Sequence, residues 1–194
     1  MTVKKSKKIT KSKITGAGRM HGDPTREEMV HSMIRVNHAG EHGAVRIYQG
    51  QLAVLTGSKA EQPIREMMEQ EQHHLDTFDE MIADRRVRPT ALAPLWHAAG
   101  FALGAGTALL GKNAAMACTQ AVEEVIDEHY EKQGNQLGDD EKELRETVNE
   151  FRADELAHRN KAVEEGAENM QGHKILSGAV KTGARLAIWL SKRI

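Results

Sequence analysis

One pattern of acidic and histidine residues occurs twice in this chain, and it constrains the fold more than any other feature. In each copy a single glutamate is followed, about thirty residues later, by a glutamate and a histidine three positions apart. The six residues are Glu41, Glu71 and His74 in the first copy, and Glu123, Glu155 and His158 in the second. On an α-helix, residues three apart point the same way, so each Glu/His pair can bind one ion. The repeat predicts four helices that converge on a shared site.

Four amphipathic segments contain these residues. Thr25 and Glu28 form a capping-box pattern beside Pro24, which predicts a helix from there to about residue 55. Further helices are predicted at about 60–83, 112–134 and 140–165, with breaks at 56–58 and 137–139. Apolar residues recur in each helix every three or four positions, on the same stripe as the acids. A carboxylate on such a stripe needs a partner.

Composition favours an all-α fold. Aromatic residues make up 4% of the chain, whereas sheets are usually built from aromatic and β-branched residues. The length of 194 residues fits one domain with a sizeable core. The net charge of -1 gives the chain no strong overall field, so no nucleic-acid partner is expected. The single cysteine, Cys118, excludes an internal disulfide.

The spacing of the acids fits two antiparallel hairpins. Glu41 lies 16 residues before Gly57 and Glu71 lies 14 residues after it. At a rise of about 1.5 Å per residue, the two glutamates lie at nearly one height. The second hairpin, around Gly138, repeats the arrangement.

A dinuclear metal site explains why six such residues lie on core-facing stripes. Four carboxylates and two imidazoles suit two iron or manganese ions, whose charge they largely neutralise. Burying carboxylates without a partner costs several kcal/mol each. The competing interpretation is that the Glu/His pairs are ordinary surface ion pairs, which are common and contribute little.

The first residues of the chain form a basic segment. Residues 1–19 contain no acid and no apolar run, which is atypical of a secretory signal. Their cationic residues are Lys4, Lys5, Lys7, Lys8, Lys11, Lys13 and Arg19. We expect residues 1–24 to form a disordered basic arm and residues 25–194 to form the domain.

Two segments outside the four helices are suited to an apolar partner. Residues 89–111 carry no charge, and we expect them to cross between the two hairpins, lie in one membrane leaflet and help to wall an entry path from the membrane. Their Gly100-x-x-x-Gly104 could instead pack helices closely or support a dimer. An ordinary buried crossover helix is the alternative. Residues 174–194 predict an amphipathic helix for the membrane interface. Its polar stripe is Lys174, Ser177, Lys181, Arg185 and Lys192, opposite Leu176, Val180, Leu186, Trp189 and Leu190.

Four stretches of the chain resemble the demethoxyubiquinone hydroxylases of ubiquinone biosynthesis. They are residues 35–44 (RVNHAGEHGA), 69–74 (EQEQHH), 121–130 (AVEEVIDEHY) and 154–158 (DELAH), and the similarity runs from about residue 33 to 194. The resemblance implies a ferritin-like four-helix bundle with two additional membrane-associating helices. It also implies a di-iron monooxygenase that hydroxylates the benzoquinol ring of demethoxyubiquinol with O2.

The resemblance also implies roles for single residues. Glu41 and Glu123 would be terminal ligands, Glu71 and Glu155 bridging ligands, and His74 and His158 nitrogen ligands. His129 and Tyr130 match positions linked in the family to electron or proton transfer. A tyrosine hydroxyl that caps a buried carboxylate accounts for Tyr130 equally well.

The implied cofactors are two iron ions, cycling between Fe2+ and Fe3+, with O2 as co-substrate. The reductant would be NADH or another external donor that is not stably bound, because the chain has no glycine-rich dinucleotide motif after a strand. Expected partners are a polyprenyl benzoquinol, a membrane surface and a lipid-binding accessory protein, and a homo-oligomer is left open. The lysine-rich arm favours the cytoplasmic face of a bacterial inner membrane, with the matrix side of the mitochondrial inner membrane as the alternative.

Two other functions compete with this interpretation. A ferroxidase or a rubrerythrin-like enzyme could use the same core, although a polar substrate would not need the two apolar segments. A helical lipid-binding or membrane-scaffolding protein could carry the Glu/His residues as ion pairs only.

Overall fold

The computed structural model describes Met20 and residues 22–194, and every regular element in that part is helical. The helices are α1 (Arg26–Leu55), α2 (Glu61–Asp84), α3 (Ala93–Leu109), α4 (Lys112–Gln136), α5 (Lys142–Glu164) and α6 (His173–Ser191). Short 3-10 turns, Asp139–Glu141 and Ala167–Asn169, precede α5 and α6. The all-α prediction is therefore confirmed. The predicted basic arm lies almost entirely outside the described residues, so its disorder stays a prediction.

The first helix begins where the capping-box pattern placed it. The Thr25 hydroxyl accepts a hydrogen bond from the Glu28 amide at 3.1 Å, and the Thr25 amide donates to the Glu28 carboxylate at 2.6 Å. This reciprocal pair satisfies two amides that a helix start leaves without partners. The helix ends before Gly57, whose φ of 80° favours glycine.

Helices α1, α2, α4 and α5 form a four-helix bundle of two hairpins. α1 packs along α2, and α4 packs along α5, as their short connections require. The four predicted helices are confirmed, with one difference: a 3-10 turn at Asp139–Glu141 delays the start of α5 to Lys142. Buried apolar side chains from all four helices, including Ile34, Phe78, Val122 and Val148, fill the space between them.

Helix α3 crosses from one hairpin to the other and packs on α1. Gly100 and Gly104 face the α1 backbone: a Cβ added at Gly100 would lie 2.9 Å from the Gly43 carbonyl oxygen, and one at Gly104 would overlap the Ile47 carbonyl. Gly50 of α1 meets the α3 backbone in the same way. Of the uses considered for the glycine pair, the structure therefore shows close packing of helices within the chain. No helix in the described part has the length and apolar character needed to cross a bilayer.

Helix α6 packs on α4, and its faces differ from the predicted stripes. Ser177 of the predicted polar stripe is buried, as is Val180 of the predicted apolar stripe. Lys181 forms an ion pair with Glu124 of α4, whereas Leu186 and Trp189 are about half exposed. The face of α6 that packs on α4 therefore takes residues from both predicted stripes, and the interfacial role of the helix stays a prediction.

Candidate metal centre

The structure brings the six predicted ligands together at the middle of the bundle, and all six are buried. They form two overlapping groups of potential ligand atoms within 4.8 Å of one another. The groups are Glu41, Glu71, His74 and Glu155, and Glu71, Glu123, Glu155 and His158. Glu71 and Glu155 belong to both groups. The arrangement has the form of a site for two ions with two shared carboxylates.

The atoms that face the centre lack other partners. Eight buried atoms of these side chains have no hydrogen-bond partner outside the cluster among the described residues, and they face one another, as His158 Nδ1 and Glu71 Oε1 do at 2.9 Å. They are Glu41 Oε2, Glu71 Oε1 and Oε2, His74 Nδ1, Glu123 Oε2, Glu155 Oε1 and Oε2, and His158 Nδ1. Leaving one buried polar atom without a partner costs about 1–3 kcal/mol. Six oxygens and two imidazole nitrogens are the donor set that iron or manganese prefers. The residues therefore fit a pair of such ions.

The glutamates and histidines of the centre shift one another's pKa values. Burial raises the pKa of Glu41 and of Glu123 well above its usual range. Burial acts in the same direction on Glu71, but contacts with His158 and His74 outweigh it and hold that pKa at about 2. Burial would lower the pKa of His158, yet its glutamate neighbours raise it to about 9. Glutamate and histidine bind ions in their deprotonated forms, so ion binding at this centre will depend on pH.

Both histidines are held by a second side chain from the opposite hairpin. His74 Nε2 lies 3.2 Å from the Asp154 carboxylate, and His158 Nε2 lies 3.0 Å from the Gln70 amide oxygen. Each contact leaves Nδ1 directed at the centre, as such contacts do for metal-ligating histidines. Sequence reasoning missed both partners. The signal was present, because Gln70 and Asp154 each directly precede the glutamate of a Glu-x-x-His pair.

Two tyrosines bond the remaining glutamates, again across the hairpins. The Tyr48 hydroxyl donates to Glu123 at 2.8 Å, and the Tyr130 hydroxyl donates to Glu41. Both tyrosines are buried. The structure shows the capping contact of Tyr130, and its part in electron or proton transfer stays a prediction. Sequence reasoning missed the contact of Tyr48, although Tyr48 follows Glu41 at the same distance of seven positions at which Tyr130 follows Glu123.

His129 lies outside the cluster, in the wall of an apolar cavity. Burial and the nearby charges of Lys192 and Lys132 lower its pKa to about 4. At neutral pH the imidazole is therefore uncharged. Its Nε2 lies 2.7 Å from Nε2 of Gln133, a residue that sequence reasoning also missed.

The cavity has a volume of about 530 Å³ and lies between α1, α3, α4 and α6. Ala, Gly, Val, Leu and Ile dominate its lining. Glu41 belongs both to this lining and to the metal-ligand cluster, and Tyr130, which donates to Glu41, also lines the cavity. The cavity therefore gives a mainly apolar molecule a place beside the centre.

The fold and the site together define a ferritin-like, all-α protein with a carboxylate and histidine centre suited to two ions. The sequence profile of the family described as "Ubiquinone biosynthesis protein COQ7" matches residues 28–191. The chain belongs to this family.

Several relatives support the assignment. The chain is 56% identical over 181 residues to a 3-demethoxyubiquinol 3-hydroxylase of Rhodospirillum rubrum, covering 93% of this chain and 85% of the relative. It is 47% identical to the NADPH-dependent 3-demethoxyubiquinone 3-hydroxylase, mitochondrial, of Homo sapiens, over 85% of this chain and 78% of the relative. A 5-demethoxyubiquinone hydroxylase, mitochondrial, of Saccharomyces cerevisiae is 40% identical over 84% of this chain and 77% of the relative. The family resemblance seen in the sequence is thus confirmed.

Proposed function

We propose that this chain is a di-iron monooxygenase that hydroxylates the benzoquinol ring of demethoxyubiquinol with O2 in ubiquinone biosynthesis. The observation that carries the proposal is the buried cluster of four glutamates and two histidines beside an apolar cavity. The names of the relatives, all hydroxylases of demethoxyubiquinol or demethoxyubiquinone, support the substrate class.

The chain's residues would divide the work at the centre. Glu71 and Glu155, shared by both ligand groups, would bridge the ions, and the other four ligands would each bind one ion. Two irons held there supply the activation of O2 that hydroxylation of a ring carbon requires. The hydrogen bonds from Tyr48 and Tyr130 fix the orientation of Glu123 and Glu41. Asp154 and Gln70 fix the histidine rings.

The cavity favours a substrate with an apolar body and a small polar head. Its lining is apolar along α3 and α6, and its few polar side chains include Glu41 and His129. A quinol head placed near Glu41 would lie beside the centre. This lining favours a quinol over the iron or peroxide substrates of a ferroxidase or a rubrerythrin-like enzyme.

A membrane partner fits the outer surfaces of α3 and α6. Apart from Met20 and Val54, every large hydrophobic side chain exposed in the described residues lies on or next to these two helices. They are Leu95, Leu109, Leu110, Ile175, Leu186, Trp189 and Ile194. The cavity lies between the two helices, so a lipid-dissolved tail could enter there. Contact with the bilayer needs no spanning helix.

The reductant and the location follow from the relatives only in outline. Relatives from Homo sapiens and Dictyostelium discoideum are named NADPH-dependent, which supports an external nicotinamide donor. Eukaryotic relatives are named mitochondrial, and the relative from Rhodospirillum rubrum carries no such term. We propose a peripheral position at a bacterial inner membrane, with the matrix side of the mitochondrial inner membrane as the alternative. A lipid-binding accessory protein and a homo-oligomer remain proposals.

Metal analysis and a product assay test the function together. We expect the purified chain, loaded with Fe2+ under anaerobic conditions, to bind two irons. After addition of O2, demethoxyubiquinone and NADH, mass analysis should show one oxygen atom from ¹⁸O2 in the quinone. The matched control is Glu28→Ala, which removes a carboxylate outside the centre. Unlabelled or unchanged quinone from iron-replete protein would contradict the proposal.

Vesicle sedimentation tests the membrane face. Ile175→Ser together with Leu186→Ser should reduce binding to anionic vesicles, because both side chains are exposed on α6. Val54→Ser is the matched control, since Val54 is exposed on α1, away from that face. Equal sedimentation of both variants would refute the membrane contact.

A further inference from the structure

The internal repeat extends beyond the six predicted ligands. A glutamine lies ten positions after the single glutamate of each copy, and its partner lies four positions before the single glutamate of the other copy. Gln51 donates to the Thr119 hydroxyl at 3.2 Å. Gln133 and Asn37 exchange two amide hydrogen bonds, at 2.8 and 2.7 Å. The two pairs therefore occupy equivalent places in the two halves.

The surroundings of the two pairs differ. Gln51 is fully buried and also donates to the Ala115 carbonyl, so its role is confined to the core. Gln133 is equally enclosed, but its amide nitrogen reaches His129 at 2.7 Å. His129 and Asn37 both line the apolar cavity. The first copy has Ile47 at the position equivalent to His129. The two copies of the repeat therefore differ at this position, where the second copy places the His129 ring in the wall of the cavity.

The hydrogen bonds determine what His129 can offer. In the assigned orientation of the two amides, one hydrogen of Gln133 Nε2 goes to Asn37 Oδ1 and the other to His129 Nε2. Nε2 must then accept, so the proton of the neutral ring lies on Nδ1. No hydrogen bond to Nδ1 is found within the described residues. Asn37 holds both polar atoms of Gln133, which prevents the amide from turning.

We propose that Gln133, held by Asn37, is a positioning residue that fixes the ring and tautomer of His129. The Nδ1–H group of His129 then donates a hydrogen bond to a ring oxygen of a quinone or quinol head in the cavity. This inference rests on the proposed function, because the head group is that of the proposed substrate. The lowered pKa of His129 is consistent with a neutral donor. The cavity offers few other donors, which makes this one a determinant of how the head is oriented.

Equilibrium binding of a benzoquinone with a decyl tail tests the proposal on iron-loaded protein. Trp96 lines the cavity and reports binding by fluorescence quenching, with Trp189→Phe as the background in all variants. We expect His129→Leu and Gln133→Met each to weaken binding about tenfold, as loss of one hydrogen bond predicts. The double variant should bind no more weakly than His129→Leu, because Gln133 acts through His129.

The matched control is Gln51→Met, which removes the equivalent core glutamine. It should lower the unfolding temperature and leave the dissociation constant within a factor of two. Asn37→Ala is a second, smaller change that releases Gln133, and it should weaken quinone binding in the same direction. Unchanged affinity in Gln133→Met or Asn37→Ala, additive losses in the double variant, or no binding by the parent protein would each overturn the inference.

The outcomes separate this inference from the proposed function. A parent protein that binds the quinone through His129 and Gln133 but forms no hydroxylated product refutes the function and leaves the inference standing. A protein that hydroxylates the quinone with affinity unaffected by these substitutions refutes the inference alone.

Discussion

The two halves of the bundle place the same side chains around the centre, yet different helices cover them. α1 of the first half is covered by α3, whose backbone meets it at glycines. α4 of the second half is covered by α6, which it holds partly through ion pairs of Lys181 with Glu124 and Arg185 with Glu128. The two halves therefore have the same residue types at the ion-binding positions, and they differ in the helices that cover them beside the cavity. Charge balance at a shared centre requires the same ligand types from both halves. No such requirement applies to α3 and α6, which cover the two halves from outside.

The largest expected effect concerns the ligands that the halves share. Glu71→Ala should remove both irons, because Glu71 belongs to both ligand groups, whereas Glu123→Ala should retain about one. Both variants should keep their helicity, since each removes a buried carboxylate rather than packing. Iron per chain by mass spectrometry, with circular dichroism, checks this. Equal iron contents in the two variants would show that the halves do not share the ligand.

The joint between α1 and α3 should give the next largest effect. Gly104→Ala places a methyl group against the Ile47 carbonyl, which cannot move without separating the helices. We expect a loss of about 3 kcal/mol, or roughly 6–12 °C in unfolding temperature. Gly106→Ala is the matched control, because nothing lies within 4 Å of its added Cβ. That variant should gain up to about 1 kcal/mol.

Thiol labelling gives a second readout for the same pair of variants. Cys118, the single cysteine, is fully buried, and burial raises its pKa to about 12. The folded parent protein should therefore react very slowly with a thiol reagent. Gly104→Ala should speed labelling and Gly106→Ala should not. Equal rates would mean that α3 remains in place despite the added methyl group.

The two halves also differ in the side chain that contacts Nε2 of each ligand histidine. Asp154→Asn should weaken metal binding about tenfold or more, because it replaces a carboxylate contact to His74 with a neutral one. Gln70→Ala should cost less, since its contact to His158 is already neutral. Chelator competition with Mn2+ measures both losses. A larger loss in Gln70→Ala would reverse the proposed difference between the two ion positions.

The ion pairs between α4 and α6 should matter least. Lys181→Ala combined with Arg185→Ala should reduce the free energy of unfolding by no more than about 1 kcal/mol per pair, because the Arg185–Glu128 pair is about half exposed and the Lys181–Glu124 pair is still partly exposed to water. Urea unfolding at low and high salt checks both size and screening. A salt-independent loss of several kcal/mol would show that α6 depends on charge rather than on Val180 and its apolar neighbours.

Much of the fold followed from local pattern. The capping residues Thr25 and Glu28 placed the start of α1, and periodicity placed all four bundle helices to within a few residues. Convergence of the six predicted ligands also agrees with the expectation, because equal spacing about two turns brings them to one height. The ions themselves are not tested by the structure, so their assignment stays a prediction.

Other features of the structure could not be predicted from the residue pattern within any one helix. The partners of His74 and His158 come from the opposite hairpin, and crossing contacts have no periodic signal. The stripes of α6 did not show which side of the helix packs on α4, because helical periodicity shows which residues share a face but not which neighbour covers it. Lys181 and Arg185 of α6 meet acidic partners on α4 that lie more than fifty residues earlier in the chain.

The sequence by itself determined which helices form and which six residues can meet, since capping, periodicity and equal spacing are local properties of a chain with fixed rise per residue. Tertiary packing alone decided where the cavity lies, which tyrosine bonds which glutamate, and which hydrogen bond His129 can donate. These depend on distances between residues from different helices, and such distances are set only when the helices pack against one another.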